Sequence, residues 1–218
     1  RTEVVSAEQR ADDGDAFGWA VALDGSSLVV GAYLDDGTGA AYVFRFDGSQ
    51  WVLETESGLA GDDTAADDRF GYAVDVSGDA LVVGAYHHDA AGGNAGAAYV
   101  FDWTGTEWTQ SAKLIASGVA AEDNFGYWVS IDGDLVAVGA VVDDVEDDGS
   151  SVDAAGSATV YRRVGTEWVE GVTVQAPSPE AKGQFGTAAV VAGDRLVVGA
   201  PFQDAIGAND GMVFVFPR

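Results

Sequence analysis

Four copies of one glycine-and-aromatic pattern, short runs rich in Val, Tyr, Phe and Trp between Gly/Asp turns, and no capped helical period predict an all-β fold. The architecture expected from them is a β-propeller of four four-stranded antiparallel blades, each of about 40–50 residues. Phe-Gly recurs at Phe17-Gly18, Phe70-Gly71, Phe125-Gly126 and Phe185-Gly186, at intervals of 53, 55 and 60 residues. Fourteen residues after each Phe stands Gly-Ala, at Gly31-Ala32, Gly84-Ala85, Gly139-Ala140 and Gly199-Ala200. So constant an offset marks the segment between them as one rigid unit. A third element follows: Ala-Tyr-Val-Phe at 41–44 and 98–101, Ala-Thr-Val-Tyr at 158–161 and Val-Phe-Val-Phe at 213–216.

Within a unit the elements read in order. Strand A is typified by Gly71 to Val76, B by Leu81 to Ala85, C by Ala97 to Phe101 and D by Trp108 to Leu114. Trp51, Trp108 and Trp168 open strand D, seven residues after the last aromatic of strand C. The A–B links are tight turns at Asp24-Gly25, Ser77-Gly78-Asp79, Asp132-Gly133-Asp134 and Ala192-Gly193-Asp194, and the C–D turns are built on Asp47-Gly48, Thr104-Gly105 and Val164-Gly165. The repeated Phe residues are expected to pack between blades.

These paired Phe-Gly and Gly-Ala signatures resemble FG-GAP repeats, the units of the propeller in integrin alpha chains and in many bacterial and archaeal surface proteins. Gly199-Ala200-Pro201 reproduces the full Gly-Ala-Pro, whereas Tyr33, Tyr86 and Val141 stand where Pro would in the other units. The resemblance implies an extracellular or cell-surface module that binds through loops on one face and performs no catalysis. The chain reads as one domain over 1–218, with repeats at about 17–69, 70–124, 125–184 and 185–218 plus 1–16. Strand D is missing after Phe216, and Arg1 to Ala7 aligns with the D-strand residues after Trp108. Two completions follow: a four-bladed ring closed by the N-terminal strand, hence a monomer, or a piece of a larger propeller that associates with other repeats.

Composition bounds the partners. The 36 acidic and 10 basic side chains leave a formal charge of −26, with 26 Asp, 10 Glu and only two Lys. Such a charge repels nucleic acid and anionic membrane surfaces, leaving cations, basic protein surfaces and neutral glycans. The 23 aromatics and long Val runs separate the chain from disordered acidic tails. Asp-rich, Lys-poor composition resembles proteins of halophilic archaea and bacteria, in which salt screens self-repulsion. The longest strongly apolar stretch, Leu135 to Val142, is far shorter than the roughly 20 residues of a membrane-spanning helix. Without Cys there is neither disulfide nor thiol chemistry. Neither a Gly-x-Ser-x-Gly nucleophile motif, nor a phosphate loop, nor His-Glu-x-x-His occurs, so a non-enzymatic role is expected.

Strand parity places the B–C and D–A loops on one face, and 22 of the 36 acids lie in them. This long-loop face is the expected ligand face for a protein or glycan, with Asp35, Asp36, His87, His88, Asp89, Asp143, Asp204 and Trp128 as its candidate residues. The paired acids and their single counterparts form a ring above the channel if the propeller closes, and turn capping is the competing reading. His87 and His88 with Asp89 are candidate metal ligands, although adjacent residues rarely converge on one ion and loop exposure is the plainer expectation. Trp128 replaces the Ala of other innermost strands and is expected to plug the channel or floor a sugar site. Calcium is the one cofactor suggested: Asp144, Glu146 and Asp148 alternate before Gly149, with Asp153 as closing acid, as at the start of an EF-hand-like loop. Asp153 stands one position late for the integrin-type loop, and such loops join strands A and B, which are too tightly linked here. A solvated acidic loop is the alternative.

Overall fold

The computed structural model describes residues 14–204 and 209–217, whose regular structure is β-sheet apart from one 3-10 turn at Asp35–Gly37, with no α-helix among them. The first repeat unit is β1 (Ala20–Asp24), β2 (Ser27–Ala32), β3 (Ala40–Phe46) and β4 (Trp51–Leu53), paired antiparallel in that order. The second is β5 (Ala73–Ser77), β6 (Ala80–Ala85), β7 (Ala97–Trp103) and β8 (Trp108–Leu114). In the third, β9 (Phe125–Asp132) and β10 (Leu135–Ala140) are followed by a separate hairpin, β11 (Val145–Asp147) and β12 (Ser150–Val152), before β13 (Ser157–Val164) and β14 (Glu167–Val174) complete the sheet. The fourth has three described strands, β15 (Ala188–Ala192), β16 (Arg195–Ala200) and β17 (Met212–Pro217).

Three units therefore have the expected four antiparallel strands, and a fifth small sheet, the β11–β12 hairpin, was not expected. Among the described residues no sheet joins the first unit to the last. The N-terminal segment expected to close the ring, residues 1–7, lies outside the described residues. Each A–B link is a two-residue turn whose first residue, Gly25, Gly78, Gly133 or Gly193, has φ between 56° and 59°. That geometry matches the twist of the strands it joins.

The core lies between units. One face of unit 1, with Val29 and Val43, packs on Phe70, Val74, Val76 and Tyr99 of unit 2. Val82 and Val100 on the opposite face of unit 2 meet Phe125, Val129, Ile131 and Tyr161 of unit 3. Ala137 and Ala158 of unit 3 meet Phe185, Ala189 and Val191 of unit 4. Innermost strands touch in chain order, β1 with β5, β5 with β9 and β9 with β15.

The sequence signatures make these joints. A Cβ added to Gly31 would fall 2.0 Å from the carbonyl oxygen of Gly71; the corresponding distances are 2.0 Å for Gly84 against Gly126 and 2.1 Å for Gly139 against Gly186. The Gly of each of the first three Gly-Ala pairs is thus pressed, backbone on backbone, against the Gly of the next Phe-Gly, where no side chain fits. The Phe amide nitrogen completes the contact by donating into the preceding B–C loop: Phe70 to the Thr38 carbonyl at 3.0 Å, Phe125 to Ala95 at 2.9 Å and Phe185 to Ala155 at 2.8 Å. On the tight-turn side the amides of Gly78, Gly133 and Gly193 donate to Asp24 Oδ2, Ser77 Oγ and Asp132 Oδ2, at 2.7, 3.1 and 2.6 Å.

The fourth such joint is not made. Among the described residues, no atom lies within 4 Å of a Cβ added to Gly18, and one added to Gly199 meets only its own unit's Ala188, at 3.7 Å. A matched pair of substitutions tests this. Gly84→Ala is expected to cost about 3 kcal/mol or more, by overpacking onto backbone that cannot yield. Gly199→Ala is expected to leave the melting temperature of the dilute chain within about a degree of wild type, a change on the order of 0.5 kcal/mol or less. Equal losses in thermal denaturation would mean that the chain's own ends are joined.

Candidate functional site

Strand A runs away from the long-loop face and strand B returns to it, so residues just before A and just after B crowd one rim. There the residues after the first three Phe-Gly pairs, Trp19, Tyr72 and Tyr127, converge with those after the first two Gly-Ala pairs, Tyr33 and Tyr86. Tyr72 packs against Trp19 at a ring-centroid separation of 5.4 Å, Tyr33 at 5.5 Å, Tyr86 at 4.4 Å and Tyr127 at 5.0 Å. Its hydroxyl lies 3.1 Å from that of Tyr127. Burial raises the pKa of Tyr72 and Tyr86 above the usual phenol value, so both stay neutral hydrogen-bonding groups. Trp19 is 53% exposed. Arg69 lies over Tyr33, and His87 is 4.1 Å from Tyr86, ring to ring.

Below this rim is a cavity of about 700 Å³ lined by the innermost strands of all four units, with Trp19, Tyr72, Tyr127 and Trp128 in its wall beside Asp75 and Ser130. Trp128 is 40% exposed and donates its indole N–H to the Ala189 carbonyl at 2.8 Å. It lines the cavity, as one of the two sequence expectations had it. The buried carboxyl of Asp75 is pushed above the usual carboxylate range and accepts from the Ile131 amide at 2.8 Å. The aromatic rim as a whole was not read from the sequence. Its signal was there in Trp19, Tyr72 and Tyr127, all two positions after a repeated Phe, and in Tyr33 and Tyr86, where the repeat otherwise carries Pro.

The expected acidic ring resolves into two layers. Asp35, His88, Asp143 and Gln203 share a position eighteen residues after the repeated Phe, and all four are at least partly buried under the B–C loops. The backbone carbonyl of each accepts from the glycine amide preceding strand C: Gly39, Gly96, Gly156 and Gly211, at 2.7–3.0 Å. Tyr42 donates its hydroxyl to the Asp35 carboxylate. One residue on, Asp36, Asp89, Asp144 and Asp204 are exposed. Three of these cap their own loops: Asp89 accepts from the amide of Asn94 at 2.9 Å, Asp144 from Ala154 at 2.8 Å and Asp204 from Asn209. Turn capping, not an open ring of carboxylates, is what these acids do.

Two other expectations change. His88 is buried, not a loop-exposed ligand: its Nδ1 accepts from the Ala90 amide at 2.9 Å, while Nε2 lies 3.2 Å from Lys113 Nζ and 3.7 Å from both Asp63 and Asp68. His87 points instead to the aromatic rim, where burial and the nearby Arg69 charge lower its pKa. The 144–153 segment is not an EF-hand-like loop. Strand pairing sets Glu146 opposite Ser151 and Asp147 opposite Ser150, with Asp148-Gly149 as a positive-φ turn, an extended two-stranded ribbon rather than a loop wound about one point. Among the described residues no group of three or more His, Asp or Glu is arranged to hold a metal ion.

The repeated joints and the rim they support agree with comparison to known proteins: residues 9–44, 54–101 and 108–161 match the FG-GAP repeat. The chain belongs to the FG-GAP repeat family. No curated protein matches it. The FG-GAP match ends before unit 4, yet Phe185-Gly186 there makes the same joint as its counterparts. Three of the rim residues follow FG-GAP glycines that make such a joint: Tyr72 after Gly71, Tyr127 after Gly126, and Tyr86 after Gly84-Ala85.

Two carboxyls give the FG-GAP loops opposite pH responses. Burial pushes Asp143 up to about 6, helped by the charges of Asp123 and Asp144 and opposed by a hydrogen bond with Ser157. Its folded pKa lies above the unfolded value of about 3.9, so its contribution to stability is greatest at low pH and is lost as pH rises through 6. Asp63 is held low by Lys113 Nζ at 2.6 Å, with the Tyr99 hydroxyl also donating to it, so its contribution is present above about 4 and lost on acidification. Asp143→Asn is expected to raise the melting temperature at pH 7 and to flatten the slope between about pH 4 and 6, measured by thermal denaturation across pH at constant salt.

Proposed function

We propose that this FG-GAP protein is a non-enzymatic binding and adhesion module, secreted or displayed at the cell surface. Its units are blades of a propeller about the shared cavity, and its ligand is a neutral glycan taken at the aromatic rim. The carrying observation is the placement of Trp19, Tyr72 and Tyr127, one from each of three successive units, around the mouth of a cavity with Trp128 in its wall. Aromatic side chains offer broad contact area at little conformational cost, and neutral Tyr hydroxyls, Ser130 and Asp75 supply acceptors and donors for sugar hydroxyls. The charge of −26 disfavours anionic polysaccharides. Calcium at Asp144, Glu146, Asp148 and Asp153 is the weaker proposal, since a two-stranded ribbon stands where a wound calcium loop would be needed. A structural role in an extracellular assembly is favoured by a separate observation, the exposed faces of the two end units.

A glycan array at high salt, followed by calorimetric titration of the best hit, tests the reading. Trp19→Ala is expected to weaken binding by roughly tenfold, about 1.4 kcal/mol, without lowering the melting temperature, because the side chain is more than half exposed. Tryptophan fluorescence should shift on binding. Absence of any glycan hit, or full affinity in Trp19→Ala, would remove the aromatic rim as the site.

A further inference from the structure

The outer faces of the two end units expose apolar residues at positions that are buried or partly buried in the internal joints. On the near face of each innermost strand, four and six residues after the repeated Phe, unit 2 has Val74 and Val76, unit 3 Val129 and Ile131, and unit 4 Ala189 and Val191. All six are 8% exposed or less, whereas the equivalents in unit 1, Val21 and Leu23, are 65% and 63% exposed. On the far face of strand C, Ala41, Val43, Ala98 and Val100 have no exposure, whereas their counterparts in unit 4, Val213 and Val215, are 69% and 54% exposed. Val190 on the same face is 50% exposed, and Gly18 and Gly199 stand without the backbone contact that every internal pair makes.

We infer that the far face of unit 4 docks on the near face of unit 1 of a second copy of this chain, forming head to tail a fourth joint like the three inside each copy. The two faces are complementary by construction, being the two halves of an interface the chain already makes three times. Within one copy the two faces do not meet: among the described residues no sheet joins β1 to β15, and Gly18 and Gly199 make no contact with each other. The contact is heterologous, closing into a ring where the summed rotation permits and otherwise extending. It is weaker than an internal joint in one respect: Ala192 stands where Asp24, Ser77 and Asp132 latch the next turn glycine. Charge repulsion between copies is screened by salt, so association is favoured at high ionic strength.

The test uses the whole chain in sedimentation equilibrium over a wide concentration range, at low and high salt. Wild type is expected to gain mass with concentration in multiples of 22.4 kDa, more readily at high salt. Two double variants keep the charge unchanged and alter only exposed residues: Val21→Gln with Leu23→Gln, and Val213→Gln with Val215→Gln. Each alone is expected to be monomeric with the wild-type melting temperature at dilution, while an equimolar mixture forms a one-to-one pair through the intact faces. A wild type that stays monomeric at every concentration and salt overturns the inference. So does either variant self-associating like wild type, which would place the interface elsewhere. A marked loss of stability in the dilute variants, together with a destabilising Gly199→Ala, would mean that each copy closes on itself.

Discussion

The contact on which the rest of the molecule depends is backbone against backbone: the glycine of Gly-Ala in one unit under the carbonyl of the Phe-Gly glycine in the next. Sheets that stack through side chains alone lie about 10 Å apart. At the innermost edge these units approach far more closely, and the absence of a Cβ permits it. The same contact sets the angle between units, seats the following Phe in the apolar layer between sheets, and delivers its amide to the preceding B–C loop. Angle, core and loop position therefore come from a single local feature, repeated.

The long-loop face inherits its order from that feature. Each B–C loop is tied to its own strand C by a glycine amide, and the first three are tied to the next unit by the Phe amide, so these loops are interlocked from one unit to the next. Some of the acids order these loops: Asp68 and Asp123 accept from the amides of Ala65 and Ala120, and Asp89, Asp144 and Asp204 staple B–C loops. The rings of Trp19, Tyr33, Tyr72, Tyr86 and Tyr127 are the distinctive chemistry of the face.

What was legible beforehand was whatever repeats. Phe-Gly, Gly-Ala and the strand C motif carried the strand order, the tight turns and the burial of the repeated Phe residues, because each copy must satisfy the same steric condition. The hairpin at Val145–Val152 was not legible. Its acidic alternation fits a cation loop as well as a two-stranded ribbon, and only pairing across Asp148-Gly149 separates them. His88 was misjudged for a related reason. Adjacent histidines in a loop suggest exposure, but its position is the one where Asp35, Asp143 and Gln203 also turn inward, and Lys113 and Asp63 from distant segments enclose it.

The sequence by itself determined the all-β architecture, the number of units and the residues that join them, since these follow from local strand propensity and from glycine at fixed offsets. Only the tertiary structure decided which aromatic residues share a rim and which apolar residues stay exposed at the ends. The rim is assembled from three units, through residues more than fifty positions apart. Whether a joint is made or left open depends on which unit stands beside which, a relation no single repeat contains. Val21 and Val74 carry the same residue in the same local pattern, yet one is 65% exposed and the other 8%, because only one of them has a neighbouring unit to pack against.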